Sequence, residues 1–227
     1  MYFYMIFLVL YLFGMASTQN GFAIGSNGQC MITTPDVLGP YYKPSAPLFN
    51  ATIPSDLPSV CFNNPAHTRL FVNGTVHVVD TEGNPCGKPA FALMDVWQAD
   101  ANGEYSDIRM DKPDYWCRTR FTTTKDGFFS LSTVFPGRYN DDGYRPAHLH
   151  FRITLIDENG QLIGTTLTTQ LYFERDFYLP PNDSCQRCGS RNPSQRIIVN
   201  NDVDIKTFTG TWNVFLRENV ISGPIKR

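Results

Sequence analysis

Residues 147–173 read "AHLHFRITLIDENGQLIGTTLTTQLYF". Through "AHLHFRITLID" and again through "QLIGTTLTTQLYF", apolar and polar residues alternate, and β-branched residues are frequent. A period of two is the signature of a half-buried strand, because successive side chains on a strand point to opposite faces. The intervening "ENG" supplies the turn chemistry of a hairpin. The stretch therefore predicts two antiparallel strands, with His148 and His150 on one face of the first.

The same pattern extends in both directions. "RLFVNGTVHVVD" (69–80) is alternating and β-branched, and "TEGNPCGKP" after it is a turn cluster. "AFALMDVWQA" (90–99) is ended by "DANGE", and "GFFSLSTVF" (127–135) is closed by "PGRYNDDGYRP". "SQRIIVNND" (194–202) and "VDIKTFTGTWNVFL" (203–216) complete the set. Short strands at regular spacing without an amphipathic helix predict an all-β protein, an antiparallel β-sandwich core with long loops. With 227 residues, 42% apolar and 14% aromatic, the chain can bury one large core.

The first thirteen residues, "MYFYMIFLVLYLF", carry no charged side chain, and Gly14, Ala16 and polar "STQNG" follow. That is the layout of a signal peptide covering residues 1–16, and the apolar run is shorter than the ~20 residues a membrane span needs. Residues 17–66 form a Pro- and Gly-rich N-terminal arm laid over the domain, with the β-sandwich domain at 67–227. Cys30, Cys61, Cys86, Cys117, Cys185 and Cys188 are an even set, as expected for disulfides in a secreted, extracellular chain. The Cys185–Cys188 C-x-x-C has no second such pair or nearby His to complete a zinc set, so it reads as a structural staple. Asn50, Asn73 and Asn182 stand in sequons compatible with glycosylation. Charge is balanced, 19 Lys+Arg against 21 Asp+Glu, and no basic run points to nucleic acid. No membrane partner is expected after signal cleavage.

The chemistry concentrates at 137–151, "GRYNDDGYRPAHLHF". Two imidazoles at i and i+2 on a strand project the same way, their roots about 7 Å apart. Such a pair can chelate one metal ion, and it is equally an ordinary hydrogen-bonded pair. His77, in "TVHVV", reads as an outward-facing residue, and His67 stands at the end of the Pro-rich lead, where the domain begins. Tyr139 ends the loop after "FSLSTVF", and Tyr105 ends "DVWQADANGEY". A phenol with its high pKa is a poor ligand for most divalent ions, but a hard trivalent cation drives off its proton. Two phenolates with two imidazoles would favour ferric iron over ferrous. Packing residues would explain the tyrosines equally well.

The order "DVWQADANGEY … PGRY … YRPAHLHF … TTQLYFE", preceded by "TTPDVLGPYY", resembles the intradiol ring-cleavage dioxygenases, the family of catechol 1,2- and protocatechuate 3,4-dioxygenases. The matched blocks cover residues ~33–175, and R-P-A-H-x-H-F after a tyrosine loop is far more specific than H-x-H alone. The resemblance implies a β-sandwich holding non-haem Fe(III) through Tyr105, Tyr139, His148 and His150, with Tyr139 and His150 axial and Tyr105 and His148 equatorial. It implies that Arg145 leans toward the substrate, where it stabilises developing negative charge, and that Gln170 lies near the ring. The implied substrates are small-molecule catechols and O₂, and the implied product a cis,cis-muconate-type diacid. In this picture Tyr139 leaves the metal and takes up a proton when substrate binds. The chain departs from familiar members in its short loop "NDDGYRPA" and in lacking a helical dimerising linker, so a monomer with a more open site is expected. "GPYY" (39–42), Asp100, Asp107 and parts of 108–118 are expected to wall the pocket. Two other readings share these residues. One is a secreted zinc or copper protein using the same histidines for hydrolysis or metal storage; tyrosinate–Fe(III) charge transfer should make the iron protein reddish, whereas a zinc protein would be colourless. The other is a non-catalytic sandwich module, similar to transthyretin-like or carbohydrate-binding domains, which would not need Tyr105.

Overall fold

The computed structural model describes residues 17–19, 22–24, 29–49, 59–61, 64, 66–79, 86–106, 114–140 and 142–217. The expected signal segment, the sequon at Asn50, Asp107 and residues 108–113 of the expected pocket wall lie outside these. Among the described residues there are fourteen strands. A short ladder pairs β1 (Ser17–Gln19) with β2 (Phe22–Ile24). The rest are β3 (Ser59–Val60), β4 (Arg69–Val79), β5 (Lys88–Pro89), β6 (Ala92–Gln98), β7 (Arg118–Thr122), β8 (Phe128–Val134), β9 (His148–Ile156) and β10 (Leu162–Phe173). After two 3₁₀ turns, at Gly189–Arg191 and Pro193–Gln195, come β11 (Arg196–Ile197), β12 (Val199–Asp202), β13 (Thr207–Thr211) and β14 (Val214–Arg217). Among the described residues there is no α-helix, and none long and apolar enough to cross a membrane.

Two sheets pack face to face. One has the order β11-β10-β9-β6-β7; the other runs β12-β13-β4-β8-β3, with β14 and β5 also on β4. The central pairs β9–β10, β6–β9, β6–β7 and β4–β8 are antiparallel as expected. Other pairs are not: β11 on β10, β13 and β14 on β4, and β3 on β8 run parallel. Both sheets are therefore mixed, because these strands reach their partners by longer connections rather than by a hairpin. Two element boundaries also differ from the sequence reading. β7, "RTRFT", was not expected, because its arginines hide the alternation that burial produces. The single strand expected over 203–216 is split at Trp212–Asn213, where the chain shifts from β13 to β14 along β4.

The expected hairpin turn is built as its sequence dictates. Gly160 N–H donates to Asp157 O at 3.0 Å, the Asp157 carboxylate accepts from the Asn159 and Gln161 amides, and Gly160 takes φ 77°. Beyond it, Leu149, Phe151, Ile153 and Leu155 of β9 face inward with Met94 and Val96 of β6 and Leu167, Leu171 and Phe173 of β10. They meet Leu70, Val72 and Val76 of β4, Phe129 and Leu131 of β8 and Val214 and Leu216 of β14. Phe151 is wholly buried, its ring centroid 4.8 Å from that of Trp212. His77, expected to face outward, is instead buried against Phe215, its Nε2 2.8 Å from Thr75 Oγ1. Burial holds its imidazole below the usual pKa. All six cysteines are paired, Cys30–Cys86, Cys61–Cys117 and Cys185–Cys188.

Residues 30–49 cross the outer face of the β11-β10-β9-β6-β7 sheet. Thr33 exchanges hydrogen bonds with Phe215, and Asp36 N–H donates to Thr168 O. Gln170 Nε2 donates to Val37 O, Arg118 Nη1 to Tyr41 O and Arg120 N–H to Pro47 O. The polar face of β9 is thus covered, and eight of its nine residues are buried. Truncating Phe151 to Ala should cost about 3–5 kcal/mol by leaving a cavity between the sheets. A urea-unfolding midpoint unchanged from the parent protein would contradict that packing.

Candidate active site

Cross-strand register sets the site. On the outer face of the sheet, Gln170 of β10 opposes His150 of β9, which opposes Trp97 of β6, which opposes Arg118 of β7. Tyr172 of β10 opposes His148. The Trp97 ring stacks on His150 at 4.8 Å and 9°. Gly39 presses on the same imidazole: a Cβ there would sit 3.1 Å from His150 Cε1, and its φ of 75° disfavours any other residue.

The tyrosines arrive on two loops that touch through glycines. A Cβ on Gly137 would lie 2.3 Å from Gly103 N, and one on Gly103 would lie 2.3 Å from Arg138 O. Asp100 shapes the first loop, its carboxylate accepting from Asn102 and Glu104 N–H while its carbonyl accepts from Gly103 and Gly137 N–H. Only glycines permit this crossing, and it brings the Tyr105 and Tyr139 ring centroids to 5.4 Å. Tyr139 lies 5.5 Å from His148, and Tyr105 lies 6.4 Å from His150. Tyr41 of the arm stacks on Tyr105 at 4.5 Å. The four side chains singled out from the sequence are thus gathered round one point, and all are buried.

His148 Nδ1 lies 2.6 Å from Pro146 O, so that nitrogen carries the proton and Nε2 presents a lone pair. His150 Nε2 faces it at 3.1 Å. Two nitrogens each about 2.1 Å from one ion, on adjacent coordination positions, lie about 3 Å apart. Tyr105 Oη is buried and has no hydrogen-bond partner among the described residues. A buried phenol without a partner is costly unless something absent supplies one. The donor set, two imidazoles and two phenols, suits a hard trivalent cation, so the residues fit a bound ferric ion. Among the described residues no group of three or more His, Cys, Asp or Glu could hold a metal.

Burial pushes both imidazoles away from their charged forms, His148 down to about 3 with Arg145 reinforcing it, and His150 lower than usual with His148 adding to it. Burial raises the Tyr105 phenol, and the neighbouring Tyr139 raises it further, against the opposing charges of Arg145 and Arg118. Arg145 is held by Asp183 Oδ1 at Nε (2.8 Å), Tyr139 Oη at Nη1 (3.3 Å), and Gln170 Oε1 and Tyr172 Oη at Nη2 (both 3.2 Å). Burial disfavours its charge, but Tyr172, Tyr139 and Asp183 outweigh that and keep it cationic. Gln170 is engaged at both ends, its Oε1 with Arg145 and Tyr172 and its Nε2 with Val37 O.

Sequence reasoning did not single out Trp97, Tyr172, Asp36 or Asp183. Tyr172 could have been found, since it stands two residues from Gln170 and so shares its face. Asp36 and Asp183 carry no local signal. Asp36 accepts from Tyr172 Oη, Gly189 N and Gln195 Nε2, each at 2.9 Å, and burial raises its carboxyl above the usual range. Of the expected pocket wall, Gly39 and Tyr41 reach the ring cluster, whereas Asp100 shapes the Tyr105 loop.

A β-sandwich that buries two histidines and two tyrosines round one point beneath an N-terminal arm has the architecture of the intradiol ring-cleavage dioxygenases. The chain belongs to this family: residues 37–218 match the family described as Dioxygenase. It is 32% identical over 197 residues to a chlorocatechol 1,2-dioxygenase of Rhodococcus opacus, covering 79% of this chain and 69% of that one. It is 31% identical over 157 residues to a chlorocatechol 1,2-dioxygenase of Cupriavidus pinatubonensis, spanning 63% of this chain and only 55% of that relative's length. Among solved structures, the dioxygenase domain of a dioxygenase–carbohydrate-binding fusion from Streptomyces sp. SirexAA-E superposes with a TM-score of 0.60 at 26% identity. That match covers 82% of this chain and 99% of that domain.

Two outcomes test the geometry in metal-free protein. The unfolded chain protonates its imidazoles below their ordinary 6.5, whereas folded His148 does so only near 3. The stability these histidines contribute is present above 6.5 and lost as pH falls toward 3. The double variant His148→Gln/His150→Gln should flatten that slope in urea midpoints measured across the window. Tyr105→Phe should leave stability unchanged or raise it, since it deletes a buried hydroxyl without a partner, while Tyr172→Phe should lower it by about 1–3 kcal/mol. Equal losses in the two variants would show that Tyr105 Oη is satisfied.

Proposed function

We propose that this protein cleaves catechols with O₂ between their two hydroxyl-bearing carbons, at a non-haem ferric ion held by Tyr105, Tyr139, His148 and His150. Both oxygen atoms enter the product, a cis,cis-muconate-type diacid. The observation that carries this reading is the unpartnered, buried Tyr105 Oη in the same ring cluster as two imidazole nitrogens 3.1 Å apart. Bound there, a ferric ion would supply Lewis acidity toward an ortho-diol and so favour the reaction of its ring with O₂.

The chain's own groups account for the rest. Tyr139 Oη lies 3.3 Å from Arg145 Nη1, so a phenol released there has a fixed donor beside it and can hold a proton taken from the substrate. Arg145 remains cationic where the ring gains negative charge, and a pre-oriented buried cation stabilises such charge without reorganising. Gln170 orients Arg145 and ties it to the arm. Trp97 and Tyr41 stack on His150 and Tyr105 and keep water from the cluster. Chlorocatechol 1,2-dioxygenases among the relatives favour small ortho-diols as the substrate class.

We propose further that the protein acts outside the cell, as a monomer, after loss of residues 1–16. The apolar opening of the chain and its three disulfides support the extracellular setting.

Metal-free protein given ferric salt should turn reddish from phenolate-to-iron absorption and then consume O₂ with catechol in equal amounts, releasing a muconate-type diacid. Arg145→Met should keep the colour while turnover falls by about 10²–10³-fold. Colourless protein that consumes no O₂ would end the proposal.

A further inference from the structure

The C-x-x-C at Cys185–Cys188 has no part in the chemistry above, yet its loop touches each side of the Arg145 network. Cys185 N–H donates to Asp183 Oδ1 at 2.9 Å, the same oxygen that receives Arg145 Nε. Ser190 Oγ donates to Asp183 Oδ2 at 2.5 Å. Gly189 N–H, next after Cys188, donates to Asp36 Oδ2 at 2.9 Å, the oxygen that receives Tyr172 Oη. The loop also grips the segment that carries the site tyrosine. Ser184 N–H donates to Tyr144 O at 3.2 Å and Ser184 Oγ to Gly143 O at 3.1 Å, while Arg145 N–H donates to Tyr139 O at 3.0 Å. A Cβ on Gly143 would meet Ser184 Cβ at 2.8 Å, so the two loops are in direct contact.

The bridge spans a sequence separation of 3, against 56 for each of the other two. Loop-closure entropy grows with the length of the loop closed, so this bridge constrains the unfolded chain least. What it holds is local: the separation between the amide that serves Asp183 and the amide that serves Asp36. Those two carboxylates orient the guanidinium and phenol that converge on Gln170 and Tyr139.

We propose that the Cys185–Cys188 bridge is a clamp that positions Arg145 against Tyr139, with Asp183 as the positioning residue through which it acts. This rests on the intradiol reading for its effect on turnover, but not for its effect on order within the loops. Opening the clamp leaves the sandwich folded, frees the 182–190 loop from the 139–145 loop and lets Arg145 drift from Tyr139.

The test compares the parent protein with Cys185→Ser/Cys188→Ser, and with Asp183→Asn, which keeps the bridge and guards against misfolding of the serine variant. In metal-free protein, hydrogen exchange should speed at least tenfold at the Arg145 and Ser184 amides, and stay unchanged across β4 and β8. In ferric-loaded protein, the visible absorption band should shift, and kcat with catechol should fall at least tenfold with KM within about twofold. Unchanged exchange at Arg145 and Ser184 in both variants would overturn the clamp. So would loosened exchange with unaltered band and kcat. A parent protein that neither colours nor consumes O₂ would instead strike the intradiol reading, and exchange would still decide whether the clamp exists.

Discussion

The structure depends on a polar sheet face that is buried rather than solvated. β9 alternates as a surface strand should, with Leu149, Phe151, Ile153 and Leu155 facing the core. Its other face carries His148, His150 and Arg152, and the N-terminal arm covers it. Every polar group on that face must then find a partner within the protein, because burying one without a hydrogen bond costs more than most single contacts return. Most do. Gln170 uses both acceptor positions of its carbonyl oxygen on Arg145 and Tyr172 and donates from Nε2 to Val37. Arg145 reaches four side-chain acceptors. Among those left unmatched are Tyr105 Oη, Trp97 Nε1 and His150 Nδ1, and the Tyr105 hydroxyl, with two imidazole nitrogens facing each other nearby, marks the place where a ligand completes the accounting.

Positioning comes from backbone shape as much as from side chains. Gly103 and Gly137 let two loops cross at a separation no Cβ would allow, and Gly39 lets the arm settle on His150. The arm thereby does two things at once. It stacks Tyr41 on Tyr105, and it supplies Asp36, whose carboxylate links Tyr172 to the loop after the Cys185–Cys188 bridge. A fold usually places functional groups on loops carried by a rigid scaffold. Here the histidines sit on a central strand and the tyrosines on adjoining loops, so the rigid half of the site is the sheet itself. Low dielectric in this setting keeps both imidazoles neutral and therefore available as ligands.

Much of this was legible in the residues, and the failures have physical causes. Long alternating stretches such as 147–173 declared their strands and their shared face, because period two follows from strand geometry alone. β7 escaped notice because Arg118 and Arg120 point to an outer face that the arm later covers, which erases the contrast a sequence pattern needs. His77 was misplaced for a related reason: its strand is covered on both faces where Phe215 packs against it. The parallel pairs were invisible because strand direction depends on where a connection returns, which local periodicity does not encode.

The linear order of residues by itself determined the all-β class, the antiparallel centre of the sandwich and the identity of the clustered tyrosines and histidines, since these follow from spacing, residue chemistry and a motif held within short blocks. Only the tertiary structure decided that the site lies on the outer face of a sheet beneath the arm. It alone also showed that Asp36 and Asp183 join the network and that the Cys185–Cys188 loop braces it. Those contacts join residues far apart in the chain, and their energies depend on burial, which exists only once the arm has closed over the sheet.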